Sequence, residues 1–115
     1  MEDRFLQQLK KGVLEMLVLT TICERETYGY ELLSLLKEHS DGLFALKEGT
    51  LYPILYRLED DGLIEASWSG GAGRTAPKKV YRATEQGRAE NLRRKAIWRQ
   101  FQDTVNNFWQ EDDVP

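Results

Sequence analysis

The segment GTLYPILYRLEDDGLI (49–64) restricts the fold more than any other, because it sets a proline inside an amphipathic helical pattern. Leu51, Ile54, Leu55 and Leu58 stand at i, i+3, i+4 and i+7, the spacing of one core-facing stripe. Proline has no N–H, and its ring clashes with the carbonyl four residues back, so a helix tolerates it best in the first turn. Pro53 therefore predicts a helix start close before it, with Thr50 as N-cap, and Gly62 ends the helix after Asp60 and Asp61. Turned away from the stripe are Gly49, Thr50, Tyr52, Pro53, Tyr56 and Arg57. Two aromatic rings and a cation are a poor choice for solubility alone, which marks this flank as one that meets a partner. The competing place for Tyr52 and Tyr56 is the rim of the core, under the first helix.

Upstream, Phe5, Leu9, Val13, Met16 and Thr20 lie on one helical stripe, and from 14 to 23 apolar residues occur all round. A first helix of about twenty residues with a buried second half is expected, and Cys23 falls in that half as a small core residue. A turn at 24–27 leads to a second helix over 28–38 carrying Leu32, Leu33, Leu35 and Leu36. Gly29 looks like a close-packing position, and His39 sits at the C-terminal end, where a cation suits the helix dipole. After Gly62, LIEASW (63–68) and KVYRAT (79–84) alternate as half-buried strands do. Between them SGGAGRTAPK (69–78), with three glycines, one proline and two cations, reads as a flexible basic hairpin tip.

A last helix is expected over 85–111, and its apolar residues do not keep to one face. Ala89, Leu92 and Ala96 point one way; Ile97, Trp98, Phe101, Val105, Phe108 and Trp109 fill a separate sector about 120° wide. Two apolar faces need two partners, so the first half is expected on its own domain and the second half against something else.

A chain of 115 residues, 41% hydrophobic, has room for one domain with one core. No apolar run nears the ~20 residues that span a bilayer, and residues 1–8 are charged and mixed, unlike a secretory leader. A single cysteine cannot form an intramolecular disulfide, and a cytoplasmic location is expected. The net charge of −3 hides a partition: −6 over 1–69, +7 over 70–100 and −4 over 101–115. The middle block is the kind that phosphate binding requires.

Three helices followed by a two-stranded hairpin is the layout of a winged helix–turn–helix, whose third helix enters the major groove while the hairpin touches the flanking backbone. Double-stranded DNA is the partner this implies. Gly49 would let the backbone approach a phosphate at a helix N-terminus. Thr50, Tyr52 and Tyr56 would bond phosphate oxygens, Pro53 lies among them, and Arg57 would supply charge. Arg74, Lys78 and Lys79 of the hairpin would meet the backbone alongside. An enzyme has little support: there is no metal-ligand cluster, no nucleophile–His pair and no glycine-rich loop opening a helix, so neither metal nor cofactor is expected.

KGVLEMLVLTTI (11–22), YGYELLSLL (28–36), GTLYPILYRLEDDGLIEASW (49–68) and KVYRATEQGRAEN (79–91) resemble the PadR family of bacterial transcriptional regulators, and with the final helix the likeness covers nearly the whole chain. One short C-terminal helix is similar to the smaller subfamily. The fold this implies is mainly α with a small β-hairpin (α+β): a winged helix–turn–helix over 1–84, a C-terminal dimerisation helix over 85–110 and a disordered tail over 111–115. The resemblance also implies a homodimer in which Ile97, Trp98, Phe101, Val105, Phe108 and Trp109 meet their symmetry mates and Phe5, Leu6 and Leu9 of the other chain. A two-fold dimer would read an inverted-repeat operator, and members typically repress and release DNA on an effector. Trp98 matches a tryptophan that lines a cavity between subunits, with Phe101 and Val105 as walls for a planar aromatic ligand; Asp103 lies nearby. If Trp98 only fills the interface, no effector site is implied. The alternative function is a winged-helix protein-interaction module, in which the hairpin and third helix grip a protein and the basic block meets an acidic surface.

Overall fold

The computed structural model describes residues 3–70, 73 and 76–109. Along the chain run α1 (Arg4–Glu24), β1 (Thr27–Tyr28), α2 (Gly29–His39), α3 (Glu48–Asp60), β2 (Ile64–Ser69), β3 (Lys78–Ala83) and α4 (Glu85–Asn106). Asp3 caps α1 by accepting from the N–H groups of Phe5 and Leu6. The side of α1 that enters the core carries Leu14, Val18, Leu19, Thr21 and Ile22. The stripe of Phe5, Leu9, Val13, Met16 and Thr20 turns toward α4 instead. Leu9, Val13 and Met16 border a groove there, and Thr20 Oγ1 donates to Asn91 Oδ1 at 2.8 Å.

On α3 the expected stripe is fully packed: Leu51, Leu55 and Leu58 are 0% exposed and Ile54 5%. The helix start differs from expectation. Lys47, not Thr50, is the N-cap, and its carbonyl accepts from both Thr50 and Leu51, so Thr50 lies inside the first turn. Pro53 consequently sits in the second turn, where the missing N–H leaves the Gly49 carbonyl without its helical donor. Both residues are exposed, so water can serve that carbonyl. At the other end Gly62, at φ +74°, donates to the Glu59 carbonyl, and Leu63 donates to Leu58. This doubled closure satisfies the last carbonyls and needs a left-handed residue, which glycine supplies without strain.

The sheet has three strands in the order β1-β3-β2, all antiparallel. Thr27, expected in a turn, and Tyr28, expected to open the second helix, instead add a short third strand to β3, pairing Thr27 with Tyr81 and Tyr28 with Val80. The hairpin strands each lie within one residue of expectation, and Ile64, Ala66, Tyr81 and Ala83 do face the core.

Thr84 ties α3, the hairpin and α4 together. Its hydroxyl donates to the Gly62 carbonyl at 2.7 Å and accepts from the Gly87 N–H at 2.9 Å, while its own N–H donates to the Leu63 carbonyl. The first half of α4 then packs through Gly87 and Asn91, not through Ala89, Leu92 and Ala96 as expected. Those three are exposed, Leu92 at 68%. Small and hydrogen-bonded residues let two backbones approach more closely than apolar bulk would. A methyl group on Gly87 would fall 1.8 Å from the Leu63 carbonyl oxygen, an overlap only backbone movement can relieve. Gly87→Ala should therefore cost about 2 kcal/mol or more in a urea titration; an unchanged midpoint would show that α4 is not held where the structure has it.

Candidate nucleic-acid interface and the groove behind it

Five of the six expected α3 residues, Gly49, Thr50, Pro53, Tyr56 and Arg57, are exposed on one flank. Nothing lies within 4 Å of where a Gly49 side chain would start, so the domain's own packing does not demand glycine there. Tyr52 departs from the expected flank. It stands about 100° round from Leu51, on the rim of the core, half-buried against it. Its hydroxyl reaches over α2, where a methyl group on Gly29 would meet Tyr52 Oη at 2.5 Å. Tyr56 leans toward Tyr52, ring centroids 6.4 Å apart, and stays 55% exposed.

The cations near this flank are engaged with acids of the same chain. Arg57 Nε donates to Glu15 Oε1 on α1 at 3.4 Å, and Lys79 Nζ lies 3.5 Å from Glu59 Oε1. Lys79 also approaches the rings of Tyr56 and Tyr81, at 5.9 and 5.5 Å, so it joins β3 to α3. Burial, with Glu59 adding to it, pushes the Tyr81 phenol up to about 12, so it stays neutral beneath this layer. Lys78 is exposed on the opposite sheet face, 4.3 Å from the centre of the Tyr28 ring. Arg74 falls outside the described residues, as does the tail expected over 111–115.

The described cations of the basic block of 70–100 are divided between β3 and α4. Its hairpin part carries Lys78, Lys79 and Arg82, the last bonded to Glu65 at 2.7 Å. The remainder rides on α4: Arg88 donates to the Cys23 carbonyl, and Arg93 and Arg94 both bond Glu90. Those bonds hold the Glu90 carboxyl down at about 2, so these arginines are committed to it at neutral pH.

An open groove of about 750 Å³ runs between α1 and α4. Leu6, Leu9, Ile97, Trp98 and Phe101 border it, and the Trp98 and Phe101 rings lie tilted to each other by 35° with centroids 6.3 Å apart. Sequence reading missed Leu43, Phe44 and the pair Glu15 and Arg94 on its walls. Val105 does not reach it, though it is half-buried on the same helix. Phe5 (68% exposed), Phe108 (84%) and Trp109 (49%) continue the apolar surface beyond it.

The fold, with three helices, a paired hairpin and the third helix turned outward, defines a winged-helix protein. Residues 18–93 match the transcriptional regulator PadR-like family, and the chain belongs to that family, whose members are transcriptional regulators and not enzymes. It is similar to a PadR family transcriptional regulator from Eggerthella lenta of known crystal structure, at 33% identity, covering 93% of this chain and 90% of that one with a TM-score of 0.81. A PadR-like transcriptional regulator from Bacillus cereus shares 36% identity over 90% of this chain and 97% of its own, TM-score 0.77. Transcriptional regulator Rv3488 of Mycobacterium tuberculosis is 33% identical over 84 residues, 73% of this chain and 74% of that protein. No described helix is long and apolar enough to cross a membrane.

The fit of Tyr52 over Gly29 can be checked directly. Gly29→Ala should destabilise the domain by roughly 1–3 kcal/mol, and Tyr52→Phe in the same chain should recover part of the loss by removing the atom in closest conflict. Strict additivity of the two substitutions would place the ring elsewhere.

Proposed function

We propose that this regulator binds double-stranded DNA as a homodimer in the cytoplasm and represses transcription from an inverted-repeat operator. The observation that carries this is the division of α3: one flank wholly buried by four aliphatic side chains, the other exposing Gly49, Thr50, Pro53, Tyr56 and Arg57 beside a hairpin with Lys78 and Lys79. Such a helix fits the major groove, the hairpin meets the adjoining backbone, and Arg74 belongs to the same contact. Tyr52 contributes its ring edge and positions Tyr56. Residues 1–84 act as the DNA-binding unit and 85–110 as the dimerisation helix. Supporting the dimer is the uncovered apolar surface of Phe5, Leu6, Leu9, Ile97, Trp98, Phe101, Val105, Phe108 and Trp109, which a single chain leaves largely in water. Two copies related by a two-fold axis would set recognition helices about 34 Å apart. A planar aromatic effector would enter the groove and lie on Trp98 and Phe101, closed in by Val105 from the paired chains.

On this mechanism Arg57 and Lys79 exchange an internal carboxylate for phosphate. Binding to a promoter fragment of the chain's own operon should weaken steeply with salt. Arg57→Ala should cost about 1–3 kcal/mol, while Glu59→Gln, which frees Lys79, should tighten binding at low salt. Salt-independent behaviour would favour the protein-interaction module, and a normal isotherm for Arg57→Ala would remove α3 as the reader. For the groove, Trp98→Ala should abolish release by a planar aromatic compound while DNA binding and dimer mass persist. Unchanged induction, or loss of the dimer, would reject the effector role.

A further inference from the structure

Trp68 is 70% exposed although it lies on a regular strand, and it takes no part in lining the groove. Along β2, Ile64 is buried, Ala66 half-buried and Trp68 exposed on the same face, since alternate residues share a side. The register gives the same order on β3: Ile64 pairs with Ala83, Ala66 with Tyr81 and Trp68 with Lys79. Directly opposed residues project to one face, so Trp68 and Lys79 are the next layer outward from the core. Lys79 shows where that layer faces, because its ammonium group lies near the Tyr56 ring and Glu59 of α3. The indole thus stands on the α3 side of the hairpin, past the last packed layer, and shares Lys79 as a neighbour with Tyr56.

We propose that Trp68 is a duplex-contact residue, its indole lying on the deoxyribose edges of the strand that flanks the groove entered by α3. The inference rests on the DNA-binding function above and names a contact outside the α3 flank and the basic residues. An indole offers a broad apolar plate and one N–H donor, and it carries no charge for a phosphate. The nearest charged pair, Lys79 with Glu59, is internally neutral, so this spot is suited to the C–H surface between phosphates rather than to the phosphates themselves. Continuity argues for nucleic acid over a protein: the exposed face runs from Pro53 and Tyr56 of α3 through Lys79 to Trp68. The groove that a second copy would cover takes no residue from β2 or β3.

Because the contact is apolar, it has a signature that separates it from the cations. Trp68→Ala should weaken binding to the promoter fragment roughly tenfold while leaving the slope of log Kd against log salt unchanged, whereas Lys78→Ala should lower that slope by about one. Trp68→Phe should retain most of the affinity. In protein labelled with 5-fluorotryptophan, the resonance lost in Trp68→Phe should shift when DNA is added. The exposed position means that Trp68→Ala should keep the thermal midpoint, which guards against misreading a folding defect. If the unsubstituted chain binds DNA with normal salt dependence while Trp68→Ala matches it and the resonance stays still, the proposal fails and the DNA-binding function stands. A resonance that moves with protein concentration and not with DNA makes Trp68 a self-association contact and overturns it. Absence of DNA binding by the unsubstituted chain overturns both.

Discussion

Burial of Leu51, Ile54, Leu55 and Leu58 is what allows the rest of α3 to be given over to the surface. At about 1.5–3 kcal/mol for each aliphatic side chain removed from water, the four supply roughly 6–12 kcal/mol. That is an upper figure, because unfolded chains already shield part of their apolar area. It is nonetheless of the same size as the net stability of a typical domain. A helix held that firmly by one flank can carry a proline in its second turn, a carbonyl at Gly49 without its usual helical donor and exposed tyrosine on the other. None of those features would survive in a helix that depended on its own propensity.

The same economy of contact explains α4. A single flank of this helix, followed from Gly87 through Asn91 and Arg94 to Trp98, Phe101 and Val105, faces α1 first and then runs past it. In the first half the contact is close and polar: Gly87 on the Leu63 carbonyl, Asn91 on Thr20, Arg94 on Glu90 and Glu15. Farther along, large apolar side chains take over where α1 supplies Leu6, Leu9, Val13 and Met16 across the open groove. The anchored half sets the angle at which the free half projects, so Thr84 and Gly87 control a surface several turns away.

This is also where sequence reading succeeded and failed for different reasons. Periodic leucines report burial faithfully, and the α3 stripe, the hairpin and the family were all legible from the residues. Close backbone contact leaves no apolar signal, since its marks are a glycine and an asparagine. Ala89, Leu92 and Ala96 were therefore assigned to the packed side of α4, although they lie in water. The N-cap differs from expectation for a related reason: the sequence pattern asks for Pro53 in the first turn, but an exposed helix can leave a carbonyl to solvent one turn deeper. A two-residue strand such as Thr27–Tyr28 has too short a pattern to be read at all. Nor does composition show which charges cancel. Residues 70–100 sum to +7, yet Glu15, Glu59, Glu65 and Glu90 each engage one or more cations of the outward surface or of α4.

Those internal pairs shape what the outward surface can do. An exposed ion pair is worth little in itself, about 0–1 kcal/mol, so Arg57 with Glu15 adds little stability, whereas Lys79 with Glu59 is half-buried. Their effect is to keep two cations ordered and partly neutralised while no ligand is present. A polyanion would have to displace a carboxylate at each, which lowers the nonspecific pull of the surface on any phosphate backbone. On the proposed function, uncharged contacts would then gain in relative weight: the open backbone at Gly49, the ring of Tyr56 and the indole of Trp68 would depend on shape and fit, not on charge alone. For a chain whose formal net charge is −3, a surface built in this way would, on the proposed function, favour the duplex that fits over the many that merely attract.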